Sequence, residues 1–237
     1  MTEDNFQFQA IGTVHSPYKE KFAIPRQPGL ATAAKGSVEL TLSGDQQQML
    51  RDIEQHSHLW LIFVFDKTAE YGFKPLVKAP RLGGNKKTGV FATRSTFRPN
   101  PIGMSAGKRE GISKINDHWH IHVSGLDLLD GTPIIDIKPY IPYSDAIATA
   151  SSEMAQDAEQ HQLQVSFNEL AATQLQTLAK QYDSLELLIE QVLSQDPRPA
   201  YKKQSDDVQE YGMSLFDLNI RWQIAGEHCT VIDISVK

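Results

Sequence analysis

The spacing of apolar residues predicts a strand-rich first part. Residues 59–65 form a short, continuous run of apolar, largely aromatic and β-branched side chains, which predicts a strand buried on both faces. In residues 118–123 three histidines alternate with Trp, Ile and Val, which predicts another strand. Shorter apolar segments predict three further strands, at 6–14, 102–106 and 134–137. A capping-box-like segment at 43–46 predicts one helix, so the pattern favours a mixed or closed antiparallel sheet over a doubly wound one.

The pattern changes after residue 143. Residues 144–161 are small and acidic, with no Lys or Arg, which indicates a linker. Apolar residues then recur at helical spacing in 168–181 and 184–193, and strict alternation in 216–224 followed by a Gly-containing turn predicts a hairpin with 230–236. We therefore expect a first domain at 1–145, a linker at 146–165 and a small α+β domain at 166–237.

Composition places the chain among soluble globular proteins. Of its 237 residues, 40% are hydrophobic and 22% charged, and a single cysteine, Cys229, excludes an intramolecular disulfide and a Cys-based zinc site. The N-terminus is acidic and lacks a signal-peptide pattern, and the longest apolar run is far shorter than the roughly 20 residues that cross a bilayer. We expect a cytoplasmic protein without membrane contact.

Positive charge is concentrated in one segment of a chain whose net charge is -6. Between Lys74 and Arg109 there is no Asp or Glu but there are nine basic residues: Lys74, Lys78, Arg81, Lys86, Lys87, Arg94, Arg98, Lys108 and Arg109. Such segregated charge concentrates polyanions, of which nucleic-acid phosphate is the commonest. From charge alone, a basic surface patch without a specific ligand is an equal alternative.

Several common catalytic motifs are absent. The segment 84–89 has the glycine spacing of a phosphate loop, but Val90 and Phe91 replace the Lys and Ser/Thr that must follow. No glycine-rich dinucleotide fingerprint opens a βαβ unit. The three histidines of 118–123 lack a carboxylate or cysteine at ligand spacing, so an exposed strand face is favoured over a metal site, and we expect no metal.

Four segments have patterns that are not typical of purely structural elements: 17–29, 80–84, 89–103 and 126–140. The third of them contains Arg-Ser-Thr-Phe-Arg-Pro-Asn-Pro. Together they closely resemble the TrmO/TsaA-like family, bacterial tRNA methyltransferases that use S-adenosylmethionine. Residues 195–201 and 216–222 resemble the C-terminal domain of its longer, enterobacterial-type members.

The resemblance implies a mainly β protein: a compact, non-Rossmann, β-barrel-like domain with one or two helices, followed by a small α+β domain. It also implies a homodimer that binds S-adenosylmethionine near the subunit interface. The implied reaction is methylation of N6 of threonylcarbamoyladenosine, immediately 3′ of the anticodon, in threonine tRNA. Two alternatives remain: a non-catalytic RNA-binding module that uses the basic segment, and an S-adenosylmethionine-dependent methyltransferase acting on another small anionic substrate.

The resemblance also assigns site residues. Arg94 and Arg98 are the expected catalytic residues, because arginine binds carboxylates and phosphates bidentately and stabilises a partly anionic nitrogen. The expected contacts of S-adenosylmethionine are Pro25, Arg26, Gln27, Asp66, Lys67, Arg94, Leu129, Asp130, Gly131 and Thr132. Asp130-Gly131 also fits a plain turn, and Asp66-Lys67 is more charged than the pair expected in relatives. Arg198 and Tyr201 are expected to contact tRNA.

Overall fold

Strand pairing dominates the computed structural model, which describes residues 5–78, 87–152, 163–198 and 209–237. The strands are β1 (Gly12–His15), β2 (Lys35–Leu40), β3 (His58–Val64), β4 (Leu76–Lys78), β5 (Lys87–Gly89), β6 (Ile102–Ile115), β7 (His118–Ser124), β8 (Pro133–Pro139), β9 (Gln164–Phe167), β10 (Gln209–Leu215), β11 (Leu218–Ala225) and β12 (His228–Val236). The helices are α1 (Gln46–Met49), α2 (Asp66–Ala69), α3 (Pro142–Asp145), α4 (Glu169–Leu178) and α5 (Leu185–Ser194).

Six strands close into an antiparallel barrel in the order β1-β2-β7-β6-β3-β8, with β8 pairing back to β1. Alternate side chains fill its interior: Leu59, Leu61 and Phe63 of β3 are buried, and Ile121 and Val123 of β7 meet them in the same core. Each fully buried aliphatic or aromatic side chain contributes about 1.5–3 kcal/mol. The prediction of a mainly β, barrel-like fold is confirmed.

The strands predicted at 59–65 and 118–123 are present as β3 and β7, with differences in burial. The outward residues of β3 are only half-buried, so the expectation that both faces are buried was wrong for one of them. On β7 the three histidines do share the second face, where Ser37 Oγ lies 3.2 Å from His120 Nδ1. Within the described ranges, no group of three or more His, Cys, Asp or Glu side chains is arranged to hold a metal ion.

Some predicted boundaries move. The first strand begins at Gly12, and Phe6 and Phe8 are exposed. The strand expected at 102–106 continues to Ile115, because Asn116 and Asp117 both adopt positive φ and form a tight turn into β7. The N-cap of α1 is Asp45 and not Ser43, since the Asp45 carboxylate accepts the Gln48 N–H at 3.1 Å.

The C-terminal sheet has the order β10-β11-β12-β9, and α4 packs on β12. Both expected helices and the β11–β12 hairpin are confirmed; Leu185, Leu188, Ile189 and Val192 of α5 are buried as their spacing predicts. In this sheet two strands were missed, and in the first domain β2, β4 and β5 were missed as well. β9 lies partly in the segment expected to be linker and pairs in parallel with β12, and β10 follows residues 199–208, which lie outside the described part.

A segment of the first domain joins the second core. The chain between β1 and β2 buries Tyr18, Ala23, Ala31, Ala33 and Ala34 among the C-terminal helices and strands. Two hydrogen bonds connect this segment to the C-terminal domain. Phe216 N–H donates to the Pro17 backbone oxygen at 2.7 Å, and Ala33 N–H donates to the side-chain oxygen Oε1 of Gln191 at 2.8 Å. Residues 25–27 therefore sit on a segment held by both cores.

No helix among the described residues is long and apolar enough to span a bilayer.

Candidate active site

Two cavities adjoin where the end of β3 lies beside the start of β6. The first, about 380 Å³, is lined by Pro25, Arg26, Gln27, Phe63, Phe65, Thr93, Arg94, Arg98, Ile102, Gly103, Met104 and Asp127. The second, about 290 Å³, is lined by Lys21, Ile24, Pro25, Phe63, Val64, Phe65, Asp66, Lys67, Thr68, Thr96, Asp127, Leu128, Leu129 and Thr132. Four residues belong to both linings and form what we call the shared wall: Pro25, Phe63, Phe65 and Asp127.

The aromatic part of the shared wall depends on a glycine. The rings of Phe63 and Phe65 meet edge to face with centroids 5.0 Å apart, and Gly103 pairs with Phe63 across the β3–β6 ladder. A Cβ at position 103 would lie 2.4 Å from the Phe63 ring, closer than any real contact. Gly103 therefore allows the two rings to lie over the strand and face the cavities.

Arg94 is held by a neutral partner. Its Nη1 donates to Gln27 Oε1 at 2.5 Å. This bond joins residues 94–101, which we call the arginine-proline loop, to the segment between β1 and β2. An amide oxygen orients a guanidinium without cancelling its charge. Arg94 therefore brings a full positive charge to the wall of the first cavity.

Arg98 also lines this cavity, and it stabilises the loop. Its Nη1 donates to Thr93 O at 2.7 Å and to Val90 O at 3.3 Å, and its guanidinium carbon lies 5.8 Å from the centroid of the exposed Phe91 ring. These bonds fasten the short 3-10 turn Val90–Ala92. Arg98 thus combines cationic charge with a positioning role that the sequence did not reveal.

The second cavity is lined by both residues of the predicted 66–67 segment and by two of the four residues of the 129–132 segment. Asp66 and Lys67 open α2 and pair with each other at 2.8 Å, and this bond raises the pKa of the Lys67 ammonium. Leu129 and Thr132 line the cavity, and Thr132 Oγ1 donates to Leu129 O at 2.6 Å, which closes the turn between them.

Asp130 and Gly131 form that turn without lining either cavity. The Asp130 carboxylate accepts the Ser16 N–H at 3.0 Å and pairs with Lys19 Nζ at 2.7 Å, and Gly131 has φ of +81°. The plain-turn interpretation describes these contacts. The expected contact of the two residues with S-adenosylmethionine stays a prediction.

Asp127 is a site residue that sequence reasoning missed. It lies in the shared wall, and Ser105 Oγ donates a hydrogen bond to its Oδ1. Burial raises its pKa, against the lowering effects of the Ser105 bond and of the Arg94 charge. A signal was available, because Asp127 interrupts a leucine run whose neighbours Leu126 and Leu128 are both buried.

Arg198, one of the two residues expected at the tRNA, lines neither cavity. Arg198 is folded onto Asp196, with Nε–Oδ1 at 2.8 Å and Nη2–Oδ2 at 3.0 Å, and its side chain is only 9% exposed. The Asp196 backbone oxygen accepts Arg26 Nη2 at 3.3 Å, so this ion pair is connected to the first cavity. Tyr201 lies outside the described residues. The tRNA contacts of Arg198 and Tyr201 stay predictions.

The structure thus gathers most of the expected residues. Those that line one or both cavities are Pro25, Arg26, Gln27, Asp66, Lys67, Arg94, Arg98, Leu129 and Thr132. The combination is chemically specific: aromatic walls, arginines on one side, and a partly buried carboxylate at the junction. Such a site suits a ligand that carries both positive and negative groups.

Both parts of the chain match known proteins. Residues 13–146 match the tRNA-methyltransferase O N-terminal domain, and residues 160–237 match the TrmO C-terminal domain. The chain is 49% identical to the tRNA (adenine(37)-N6)-methyltransferase of Escherichia coli K12, over 93% of this chain and 94% of that protein. It is 44% identical to the enzyme of that name from Eikenella corrodens, over 71% and 90% of the two chains.

Solved structures show the same architecture. The crystal structure of TrmO from Pseudomonas aeruginosa superposes with a TM-score of 0.80 at 38% sequence identity, covering 98% of this chain and 99% of that one. Matches to both domains, near-complete coverage and a shared fold lead to one conclusion: the chain belongs to the tRNA-methyltransferase O family.

Proposed function

We propose that this protein methylates N6 of threonylcarbamoyladenosine at position 37 of threonine tRNA, with S-adenosylmethionine as methyl donor. The observation that carries the proposal is the pair of adjoining cavities with arginines on one side and Asp127 at the junction. The similarity to a protein named tRNA (adenine(37)-N6)-methyltransferase, at 49% identity over 93% of this chain, supports the base and the atom.

The chemistry of the two linings fits the donor. S-adenosylmethionine supplies a methyl group on a sulfonium, ready for in-line displacement. The cation matches the faces of Phe63 and Phe65, which attract positive charge. Arg26, Gln27 and Arg94 offer donors for the methionine carboxylate, and the Asp66-Lys67 and Leu129–Thr132 segments offer polar groups for the ribose and adenine. These residues would hold the donor.

The arginines suit the modified base. Threonylcarbamoyladenosine carries a threonyl carboxylate and a carbonyl next to N6, and both attract a guanidinium. As N6 loses its proton, negative charge spreads onto that carbonyl. Arg94, oriented by neutral Gln27, keeps its charge available to stabilise that negative charge. Arg98 holds the loop that positions Arg94.

Within the basic segment, the stretch from Lys74 to Lys87 suits tRNA binding better than Lys108 and Arg109 do. Arg109 donates to Glu54 O and His56 O, and Lys108 pairs with Glu110, so both are engaged within the barrel. Lys74 lies 4.1 Å from the centroid of the Phe97 ring, beside the arginine-proline loop. Arg81 and Lys86 fall outside the described residues. We assign phosphate contact to the stretch from Lys74 to Lys87.

The test combines binding with a panel of substrates. Purified protein and S-adenosylmethionine should methylate threonine tRNA that carries threonylcarbamoyladenosine, and should leave the same transcript with plain adenosine unreacted. Salt-sensitive tRNA binding without calorimetric binding of the donor would establish the RNA-binding alternative instead. Donor binding with no competition from tRNA would establish a methyltransferase for another anionic substrate.

We also propose a cytoplasmic homodimer. Support for a second copy near the site comes from large apolar side chains exposed close to the first cavity: Phe73 at 52%, Phe91 at 77% and Met104 at 55%. Light scattering should give twice the 26.5 kDa chain mass; a mass of one chain across the assay concentrations would contradict the dimer.

A further inference from the structure

The shared wall contains one ionisable side chain. Of its four residues, Pro25, Phe63 and Phe65 cannot accept a proton, and Asp127 can. A donor that spans the two adjoining cavities, as proposed above, has its sulfonium between its methionine and nucleoside parts, at this wall, so the acceptor nitrogen must approach the wall as well. Asp127 is therefore the group placed closest to both reactants by the shape of the site.

We propose that the Asp127 carboxylate is the base that accepts the N6 proton during methyl transfer. This inference rests on the proposed function, because it needs an acceptor nitrogen that carries hydrogen. In the step, the N6–carbon bond forms and the sulfur–carbon bond breaks, with its electron pair left on sulfur. The N6 proton passes to an Asp127 oxygen. A sulfonium and a carboxylate thus become a neutral thioether and a carboxylic acid.

The surroundings of Asp127 suit a base. Ser105 Oγ occupies one carboxylate oxygen, and a carboxylate has lone pairs on both, so a proton can still be accepted. The charge of Arg94 acts on Asp127, but within the described part of the chain no salt bridge neutralises it. Burial raises its pKa and so strengthens it as a base.

The buried phenol of Tyr18 is the other titratable neighbour. Burial and, to a smaller extent, the Asp127 charge raise its pKa, so it stays neutral. Its hydroxyl has no hydrogen-bond partner among the described residues. Further charged groups face the same two cavities: Lys21, Arg26, Asp66, Lys67, Arg94 and Arg98. Among them Asp66 is the one carboxylate that could imitate the titration of Asp127.

The first experiment separates a base from a counter-charge. Asp127→Asn keeps the size of the side chain and the acceptor for Ser105, and we expect it to lower kcat about 100-fold or more. Calorimetry without tRNA should find the affinities for S-adenosylmethionine and S-adenosylhomocysteine both within about threefold of wild type. Asp127→Glu should recover part of kcat. The control is Asp117→Asn in the exposed β6–β7 turn, which should behave as wild type.

Three results would overturn the inference. In the first, Asp127→Asn keeps kcat within about threefold. In the second, it loses affinity for the sulfonium ligand but not for the thioether, which makes Asp127 a counter-charge. In the third, the Asn and Glu variants lose both ligands, which makes Asp127 a support of the wall.

The second experiment uses pH. Wild-type kcat should rise with pH as Asp127 loses its proton, and this limb should be absent from Asp127→Asn and present in Asp66→Asn. The reverse assignment would overturn the inference. An inactive wild type would overturn the proposed function and this inference with it, whereas an active wild type beside an active Asp127→Asn would overturn this inference alone.

Discussion

Arg94 and Arg198 both have a carboxylate nearby, and the two sites treat them differently. In the C-terminal domain Arg198 and Asp196 form a bidentate pair with nearly buried side chains, so each cancels the charge of the other. In the barrel Arg94 bonds to the neutral amide of Gln27, while Asp127 bonds to the neutral hydroxyl of Ser105. The barrel site keeps both charges available for a ligand, and the C-terminal pair uses them to hold the fold.

The difference shows what a basic motif in a sequence means. Both arginines lie in segments that resemble the family, and both were expected to act on a ligand, Arg94 in catalysis and Arg198 at the tRNA. What separates them is the hydrogen-bond partner. Gln27 is 67 residues from Arg94 along the chain, so that contact is tertiary, whereas Asp196 is 2 residues from Arg198, so that contact is local. For these two arginines, the neutral partner of Arg94 leaves its charge available to a ligand, and the carboxylate partner of Arg198 does not.

Removing the barrel charge should have the largest effect. We expect Arg94→Ala to lower kcat about 100- to 1000-fold, because the charge that develops next to N6 loses its stabilising cation. tRNA affinity should fall only modestly, since phosphate contacts elsewhere remain. Steady-state kinetics on modified tRNA, with the exposed Arg51→Ala as control, measures both. Retained turnover would show that Arg94 is not the catalytic arginine.

The second-largest effect should come from giving Arg94 a carboxylate partner, like the one that Arg198 has in the C-terminal domain. Gln27→Glu gives Arg94 a carboxylate partner and cancels its charge in place. We expect kcat/KM to fall about tenfold or more with no loss of stability. The exposed Gln48→Glu on α1 is the matched control. If kcat/KM of Gln27→Glu equals that of wild type, the available charge of Arg94 is not what the site uses.

Breaking the C-terminal pair should change stability more than activity. Asp196→Asn removes the carboxylate charge that Arg198 faces, and we expect a loss of about 2 kcal/mol, or a Tm lower by about 4–8 °C. The matched control, Asp183→Asn, breaks the exposed Lys35–Asp183 pair and should cost less than about 1 kcal/mol. Calorimetry decides between them. Equal and small shifts would mean that the buried pair is not structural.

The smallest effect concerns pH and Asp127. Because its folded-state pKa is raised, its contribution favours folding at low pH and is lost as pH rises through that pKa. Asp127→Asn removes the titration. We therefore expect the variant to gain stability relative to wild type as pH rises, and thermal unfolding at several pH values measures this. A difference that does not vary with pH would contradict the raised pKa.

Much of the fold could be predicted from the sequence, because local pattern and burial agree in its clearest elements. The alternation of β11 and the helical spacing of α5 reflect half-buried surfaces, and both are present. β9 could not be predicted, since it pairs in parallel with a strand more than 60 residues away and carries little apolar signal of its own. The joint core of residues 18–34 and the C-terminal domain is likewise a long-range contact.

The site was predicted where motifs carry the chemistry and missed where packing does. The resemblance identified Arg94, Gln27 and the segments around them, and the cavities gather these residues. Asp127 interrupts a leucine run, but it was missed because that run does not show that the residue lies between two cavities. The partner of Arg198 was missed because Asp196 adopts a positive φ that folds the loop back on itself.

The most direct test of the central claim follows the methyl group. Threonine tRNA carrying threonylcarbamoyladenosine is incubated with the protein and S-adenosylmethionine labelled in its methyl group, and the digested nucleosides are fragmented by mass spectrometry. We predict that the label is found on N6 of threonylcarbamoyladenosine and is lost in Arg94→Ala. Label on another atom, or no label from the wild-type protein, would contradict the account.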